Sequence, residues 1–126
     1  MALHVSEQRQ LSRFCSVSIE CSAGAALIRL DGELDLTCED GLCTEVAHIR
    51  ASRPSSVIVD LGDVTFIDSP GLGMLVELDA AARQDGFELG LARADGQVRS
   101  SMRITGLDRL LPLVEPLAGR EGDSRR

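Results

Sequence analysis

From Cys15 to Cys21 the chain alternates, with Cys15, Val17, Ile19 and Cys21 on one side and Ser16, Ser18 and Glu20 on the other. A period of two is that of a half-buried β-strand. Ser22-Ala23-Gly24 is a turn signal and Ala25 to Leu30 reads as a second strand, so the two form a hairpin. Ahead of them, residues 1–12 are polar and aperiodic, and read as a flexible N-terminal arm. Asp31 to Asp35 then leads into a helix. Thr37 is its expected N-cap, with Asp40 three residues on, and Leu42, Val46 and Ile49 recur at helical spacing as its buried stripe. His48 falls off that stripe and reads as solvated, and Ala51 to Ser55 reads as a loop.

The pattern changes again at Val57 to Leu61, a short β-branched run that suits a strand buried on both faces. A tight turn, Asp68-Ser69-Pro70-Gly71, follows and feeds an apolar helical pattern of Leu72, Leu75, Leu78 and Ala82, which Gly86 ends. Phe87, Leu89 and Leu91 alternate as a further strand, so strand, helix and strand make a βαβ unit with a parallel pair and right-handed crossover. Asp95 caps a third expected helix, carrying Val98 and Met102 and ending at Gly106. Leu111-Pro112-Leu113-Val114 holds a proline and so predicts an edge strand. Residues 119–126 are small and charged, and read as a disordered tail. The architecture is α/β: a small mixed β-sheet flanked by α-helices, in a single domain over 13–118.

The turn at 68–71 is where chemistry concentrates. Proline is favoured at the first helical position, where a backbone N–H would have no intrahelical partner. With Pro70 there, Ser69 becomes the N-cap, and a capped hydroxyl sits beside the Asp68 carboxylate at the positive end of a helix dipole. Two readings are open: a plain capping serine, or a modifiable serine at an anion-friendly position. Spacing alone does not choose between them.

Composition narrows the field. The net charge of −7 disfavours nucleic acid and anionic membrane surfaces as direct partners. No lysine is present, which removes Schiff-base chemistry and a P-loop lysine. Cys15, Cys21, Cys38 and Cys43 form no C-x-x-C pair, and His4 and His48 are the only histidines, so the thiols are expected to be reduced rather than metal-bound. No stretch has the apolar length of a membrane span, and the N-terminus lacks a signal-peptide hydrophobic region, so a cytoplasmic protein is expected. Asp31, Glu33, Asp35, Asp60, Asp63 and Asp68 enrich the middle in acid. A carboxylate-pair glycosidase or a hard-cation site at Asp63 and Asp68 is nonetheless disfavoured, since strand-end acids are ordinarily solvated and aromatics for a sugar cleft are scarce. A serine hydrolase fails on mechanism, because Pro70 lacks the N–H an oxyanion hole needs. Gly71-Leu72-Gly73 is too short for a dinucleotide fingerprint. Its glycines fit close approach of a partner backbone instead.

Three stretches carry a resemblance. Phe66-Ile67-Asp68-Ser69-Pro70-Gly71-Leu72-Gly73 resembles the signature turn of STAS domains, the anti-sigma factor antagonists. Leu30-Asp31-Gly32-Glu33-Leu34-Asp35 is similar to the family's Gly-Glu-Leu-Asp element, and Ile104 to Leu111 to its Thr-Gly-Leu element. The three stand in the family's order and spacing, and the resemblance covers roughly residues 15 to 117. Pro70 departs from the pattern, standing where a second serine or threonine is usual. The resemblance implies a STAS-like fold and a non-enzymatic switch without cofactor or metal. Such a protein binds an anti-sigma factor, itself a serine kinase, and so releases a sigma factor; phosphorylation of Ser69 turns it off and a serine phosphatase restores it. It further implies a partner-binding surface of Asp35, Asp68, Ser69, Pro70, Gly71, Leu72 and Gly73, in a monomer or weak dimer. The alternative is a STAS scaffold subunit of a lipid-transport or signalling complex without a phosphoswitch. In the family a further C-terminal helix is common, and this chain is short for one.

Overall fold

A computed structural model describes residues 3–5, by backbone, and 8–114. The chain runs β1 (Leu3–Val5), β2 (Arg9–Ser12), β3 (Cys15–Ser22), β4 (Ala25–Leu34), α1 (Glu39–Ala51), β5 (Ser56–Ile67), α2 (Ser69–Asp85), β6 (Glu88–Ala92), α3 (Gly96–Thr105) and β7 (Leu113–Val114). Short 3-10 turns occupy Leu36–Cys38 and Leu107–Arg109. The strands form one mixed sheet in the order β1-β3-β4-β5-β6-β7, with β2 also paired to β3. β3 and β4 are the expected antiparallel hairpin, and β4 to β7 are parallel neighbours.

Three crossovers step in one direction, from β4 to β5 to β6 to β7. Right-handed connections therefore put α1, α2 and α3 on one face of the sheet. Val17, Ile19, Ala26, Ile28, Leu30, Val57, Val59, Leu61 and Leu91 are buried on that face. They meet Leu42 and Ile49 of α1, Leu72, Leu75, Leu78 and Ala82 of α2, and Val98 and Met102 of α3 in one cluster. Every stripe residue expected of α2 is in this core. With Phe87 the only buried aromatic, cohesion comes from aliphatic burial, each such side chain contributing about 1.5–3 kcal/mol.

The opposite face carries an ion-pair row. Arg29 pairs with Glu20 at 2.9 Å and with Asp60 at 3.7 Å, and Arg93 reaches Asp60 at 2.9 Å. Arg93 lies flat over Gly62, where a Cβ would come within 2.3 Å of its guanidinium carbon.

Several expectations need correction. Residues 3–5 and 9–12 are strands on the free edge of β3, not a loose arm. They are too short to show a period: β1 is Leu3-His4-Val5, and in β2 only Leu11 is apolar, packing against the core. β4 runs on to Leu34 and β5 to Ile67, well past the apolar runs that announced them. Asp35, not Thr37, is the capping residue before α1. Its carboxylate accepts from the Thr37 N–H at 3.0 Å and caps the 3-10 turn, and α1 begins only at Glu39. α3 and the edge strand β7 lie where the pattern put them, with Gly86 and Gly106 ending α2 and α3 in the left-handed conformation at φ 83° and 79°. The domain limit at 118 and the tail 119–126 lie outside the described residues.

Candidate functional site

β4 and β5 are in parallel register to their last residues, Leu34 opposite Ile67. The next residue on each strand is an aspartate, and each aspartate caps the helical segment that follows. Asp35 caps the 3-10 turn before α1, and Asp68 accepts from the Gly71 N–H at 2.9 Å to cap α2. The repeated arrangement has one cause. A parallel strand ending beneath a helix N-terminus leaves orphan N–H groups, and a short carboxylate one residue past the strand reaches them.

This shifts the expected register of the turn by one. Asp68 is the N-cap, Ser69 the first helical residue and Pro70 the second. The capping reading of Ser69 is therefore wrong in this fold, because Asp68 fills that role. Ser69 and Pro70 are exposed, and among the described residues the Ser69 hydroxyl has no hydrogen bond. The helix end is also a poorer anion site than the sequence suggests. Pro70 has no N–H and the Gly71 N–H is already taken, which leaves the Ser69 N–H as the free donor of the first turn.

Of the other expected site residues, Asp35 and Asp68 are half-buried and Gly73 is exposed. Gly71 and Leu72 are buried, Leu72 within the core cluster, so they support the turn from beneath. The two glycines do different work. A Cβ at Gly71 would lie 2.2 Å from the Leu34 carbonyl oxygen, whereas a Cβ at Gly73 would meet nothing within 4 Å. Apolar surface flanks the caps: Leu36, next to Asp35, is 60% exposed and Phe66, two residues before Asp68, is 42% exposed.

One participant is invisible in the sequence pattern. Gln97, on the first turn of α3, accepts from the Ile67 N–H at 2.8 Å and donates to the Ile67 carbonyl at 3.0 Å. No periodicity or motif marks this exposed glutamine, which is thirty residues away from its partner in sequence.

No group of three or more histidine, cysteine or acidic side chains is placed to hold a metal among the described residues. His48 is exposed in the last turn of α1. A separate groove of about 280 Å³ lies between α1 and α2, lined by Leu42, Val46, Met74 and Leu78 with Cys43 and Glu77 at its margin. Burial, then the Glu39, Glu77 and Asp40 carboxylates, push the Cys43 thiol pKa up, so it is a weak nucleophile near neutrality. No helix among the described residues is long and apolar enough to cross a membrane.

Comparison with known proteins agrees with this geometry. The chain is 26% identical over 102 residues to the anti-sigma-F factor antagonist RsfB of Mycobacterium tuberculosis, covering 81% of this chain and 83% of that one. Its fold matches the crystal structure of an anti-sigma factor antagonist from Mycobacterium paratuberculosis with a TM-score of 0.72 at 24% identity, over 82% of this chain and 87% of that one. It also matches the Bacillus cell fate determinant SpoIIAA in its phosphorylated form, with a TM-score of 0.64 at 18% identity, over 81% and 92% of the two chains. The STAS domain family model matches residues 16–119, the whole of the sheet from β3 onward with its three helices, and the chain belongs to that family.

Proposed function

We propose that this protein is an anti-sigma factor antagonist that binds an anti-sigma factor through the Ser69 turn, releases a sigma factor, and is switched off by phosphorylation of Ser69. The observation that carries the reading is the assignment of the cap to Asp68. It leaves the Ser69 hydroxyl exposed and unengaged at the mouth of a rigid helix, which is what a kinase substrate requires. The role itself is that of the relatives named anti-sigma factor antagonists. Asp35, Asp68, Ser69, Pro70 and Gly73 form the partner-facing surface, with Leu36 and Phe66 as apolar contacts beside it and Gly71 and Leu72 as its support. The partner is an anti-sigma factor with ATP-dependent serine kinase activity, and a serine phosphatase reverses the modification. The domain works by binding and carries no catalytic group or cofactor, in the cytoplasm, as a monomer or weak dimer.

The test is intact mass after incubation with ATP, Mg²⁺ and candidate anti-sigma kinases. A single added phosphate that disappears in Ser69→Ala supports the reading. Phosphate on another serine, or capture of transporter subunits instead of an anti-sigma factor, would favour a STAS scaffold.

A further inference from the structure

We propose that Gln97 is a positioning residue for the switch turn, holding the end of β5 so that the Ser69 hydroxyl is presented to the kinase in one geometry. The inference rests on the reading of Ser69 as the modified residue.

β6 pairs with β5 only from Ser56 to Asp60. β5 continues to Ile67, so on the β6 side its last residues run on without a strand partner among the described residues. A strand edge left open in this way frays, and it frays toward the turn. Gln97 makes good the deficit at the last residue. Its side-chain amide pairs with both backbone groups of Ile67, at 2.8 and 3.0 Å, as a neighbouring strand would. The second amide hydrogen donates to the Ser101 hydroxyl at 2.9 Å, one turn along α3. Both donors and the acceptor are thus engaged, and turning the amide over would set N–H against N–H and oxygen against oxygen. The amide therefore has one orientation.

The clamp acts next to the switch. Strand residues alternate the side to which their backbone groups point, so Asp68 faces the other way, and its N–H points to the Leu34 carbonyl at 3.4 Å. Ile67 is held from the α3 side, Asp68 from the β4 side, and the Asp68 carboxylate and carbonyl hold Gly71 and Leu72. Ser69 lies between these fixed points. α3 is itself anchored by Val98 and Met102 in the core, so Gln97 transmits a rigid position. Phosphoryl transfer depends on aligning the attacking oxygen, and a displacement of about 1 Å can cost about a hundredfold in rate.

Two variants in the full chain test this. Gln97→Leu removes all three hydrogen bonds at similar volume. Gln97→Glu keeps an acceptor for the Ile67 N–H but loses the donors. Amide exchange of Ile67 and Asp68 should quicken about tenfold or more in Gln97→Leu and less in Gln97→Glu, while Val57 and Val59 at the β5 centre stay near wild type. With ATP and an anti-sigma kinase that modifies the wild-type chain, kcat at Ser69 should fall about tenfold with KM nearly unchanged. A Gln97→Leu protein that keeps wild-type exchange at Ile67, or wild-type kcat, overturns the proposal, the second outcome leaving Gln97 a structural residue only. A wild-type chain that no such kinase modifies at Ser69 sinks the switch reading itself, and this inference with it.

Discussion

Gly71 and Leu34 are packed so tightly that a Cβ on the glycine would come within 2.2 Å of the Leu34 carbonyl oxygen and 2.8 Å of the Ile67 side chain. The first turn of α2 thereby rests on the last residues of β4 and β5. Gly71→Ala has to push backbone against backbone, so it should cost about 1–3 kcal/mol, at the level of overpacking a core. Gly73 lies two residues on and faces open space. Gly73→Ala should stabilise the helix by about 0.5–1 kcal/mol, the usual gain on removing a mid-helix glycine. If Gly73 admits a partner's backbone, that variant should also bind an anti-sigma factor less well. Denaturant melts of both variants, with affinity measured on Gly73→Ala, check the pair; a more stable Gly73→Ala with unchanged affinity removes Gly73 from the interface.

Asp35 is expected to separate fold from binding less cleanly. It caps the 3-10 turn through the Thr37 N–H, so Asp35→Ala should cost about 0.5–2 kcal/mol, as loss of an N-cap does. That leaves a domain of this size folded, and binding or phosphorylation should weaken further than stability does. Asp35→Asn retains the acceptor and should recover most of the stability without the charge. A variant Asp35→Ala that fails to fold would make Asp35 a structural residue only.

The cysteines give a pH signature. Burial, and then the neighbouring Cys38, push the Cys15 pKa up to about 12. The fold therefore holds a proton that the unfolded chain releases near pH 9, and each unit of pH above that removes about 1.4 kcal/mol until the folded pKa is reached. Stability is intact below about pH 8.5 and falls as pH rises toward 12. The chain has no tyrosine and no lysine, so the usual titrations in that window are missing and the slope reports thiols. Urea midpoints at pH 8, 9.5 and 10.5 should fall in that order, with a shallower slope in Cys15→Ala. All four cysteines are free, Cys43 being exposed and Cys15 and Cys38 buried. A thiol reagent should modify Cys43 first in the native protein and count four thiols after denaturation; a count of two would reveal a disulfide.

What could be read from the sequence was what repeats locally. The stripe of α2, the alternation of β3 and the glycines ending α2 and α3 are each set within a few residues, and each stands where the pattern put it. What escaped depends on a distant partner. Asp68 and Ser69 are both good caps, and proline is tolerated at the first helical turn, so local chemistry admits either register. The choice is made by β5 running to Ile67 and by the Leu34 carbonyl receiving the Asp68 N–H. β2 shows no apolar alternation because it is four residues long with Leu11 as its one apolar side chain, which packs against the core beside Gly41 of α1. Gln97 carries no signal at all, for its role exists only once α3 lies beside the end of β5.

Phosphorylation of Ser69 is expected to abolish binding while leaving the fold in place. A phosphoserine brings about −1.5 to −2 charges at neutral pH. Ser69 is the first residue of α2, so the helix end stabilises that charge by roughly 0.3–1 kcal/mol, at the low end because Pro70 lacks an N–H and Asp68 has taken that of Gly71. The Asp68 carboxylate next to it opposes the gain by a similar order across a water-exposed site. The two nearly cancel, and because Ser69 is exposed no core contact is disturbed. At an interface the balance is different. A partner seated on the turn has to strip water from the phosphate, and an unpaired buried charge costs several kcal/mol. About 3 kcal/mol of that is already more than a hundredfold in affinity. Ser69→Asp, with a smaller charge, should lose about tenfold or more in affinity and shift the melting temperature by less than about 5 °C. Ser69→Ala should bind whether or not ATP and kinase are present. Calorimetric titration of the three proteins with an anti-sigma factor, beside their thermal melts, measures both sides. A Ser69→Asp protein that binds as tightly as the unmodified chain while the kinase labels Ser55, Ser56 or Ser100 would put the switch elsewhere on the molecule.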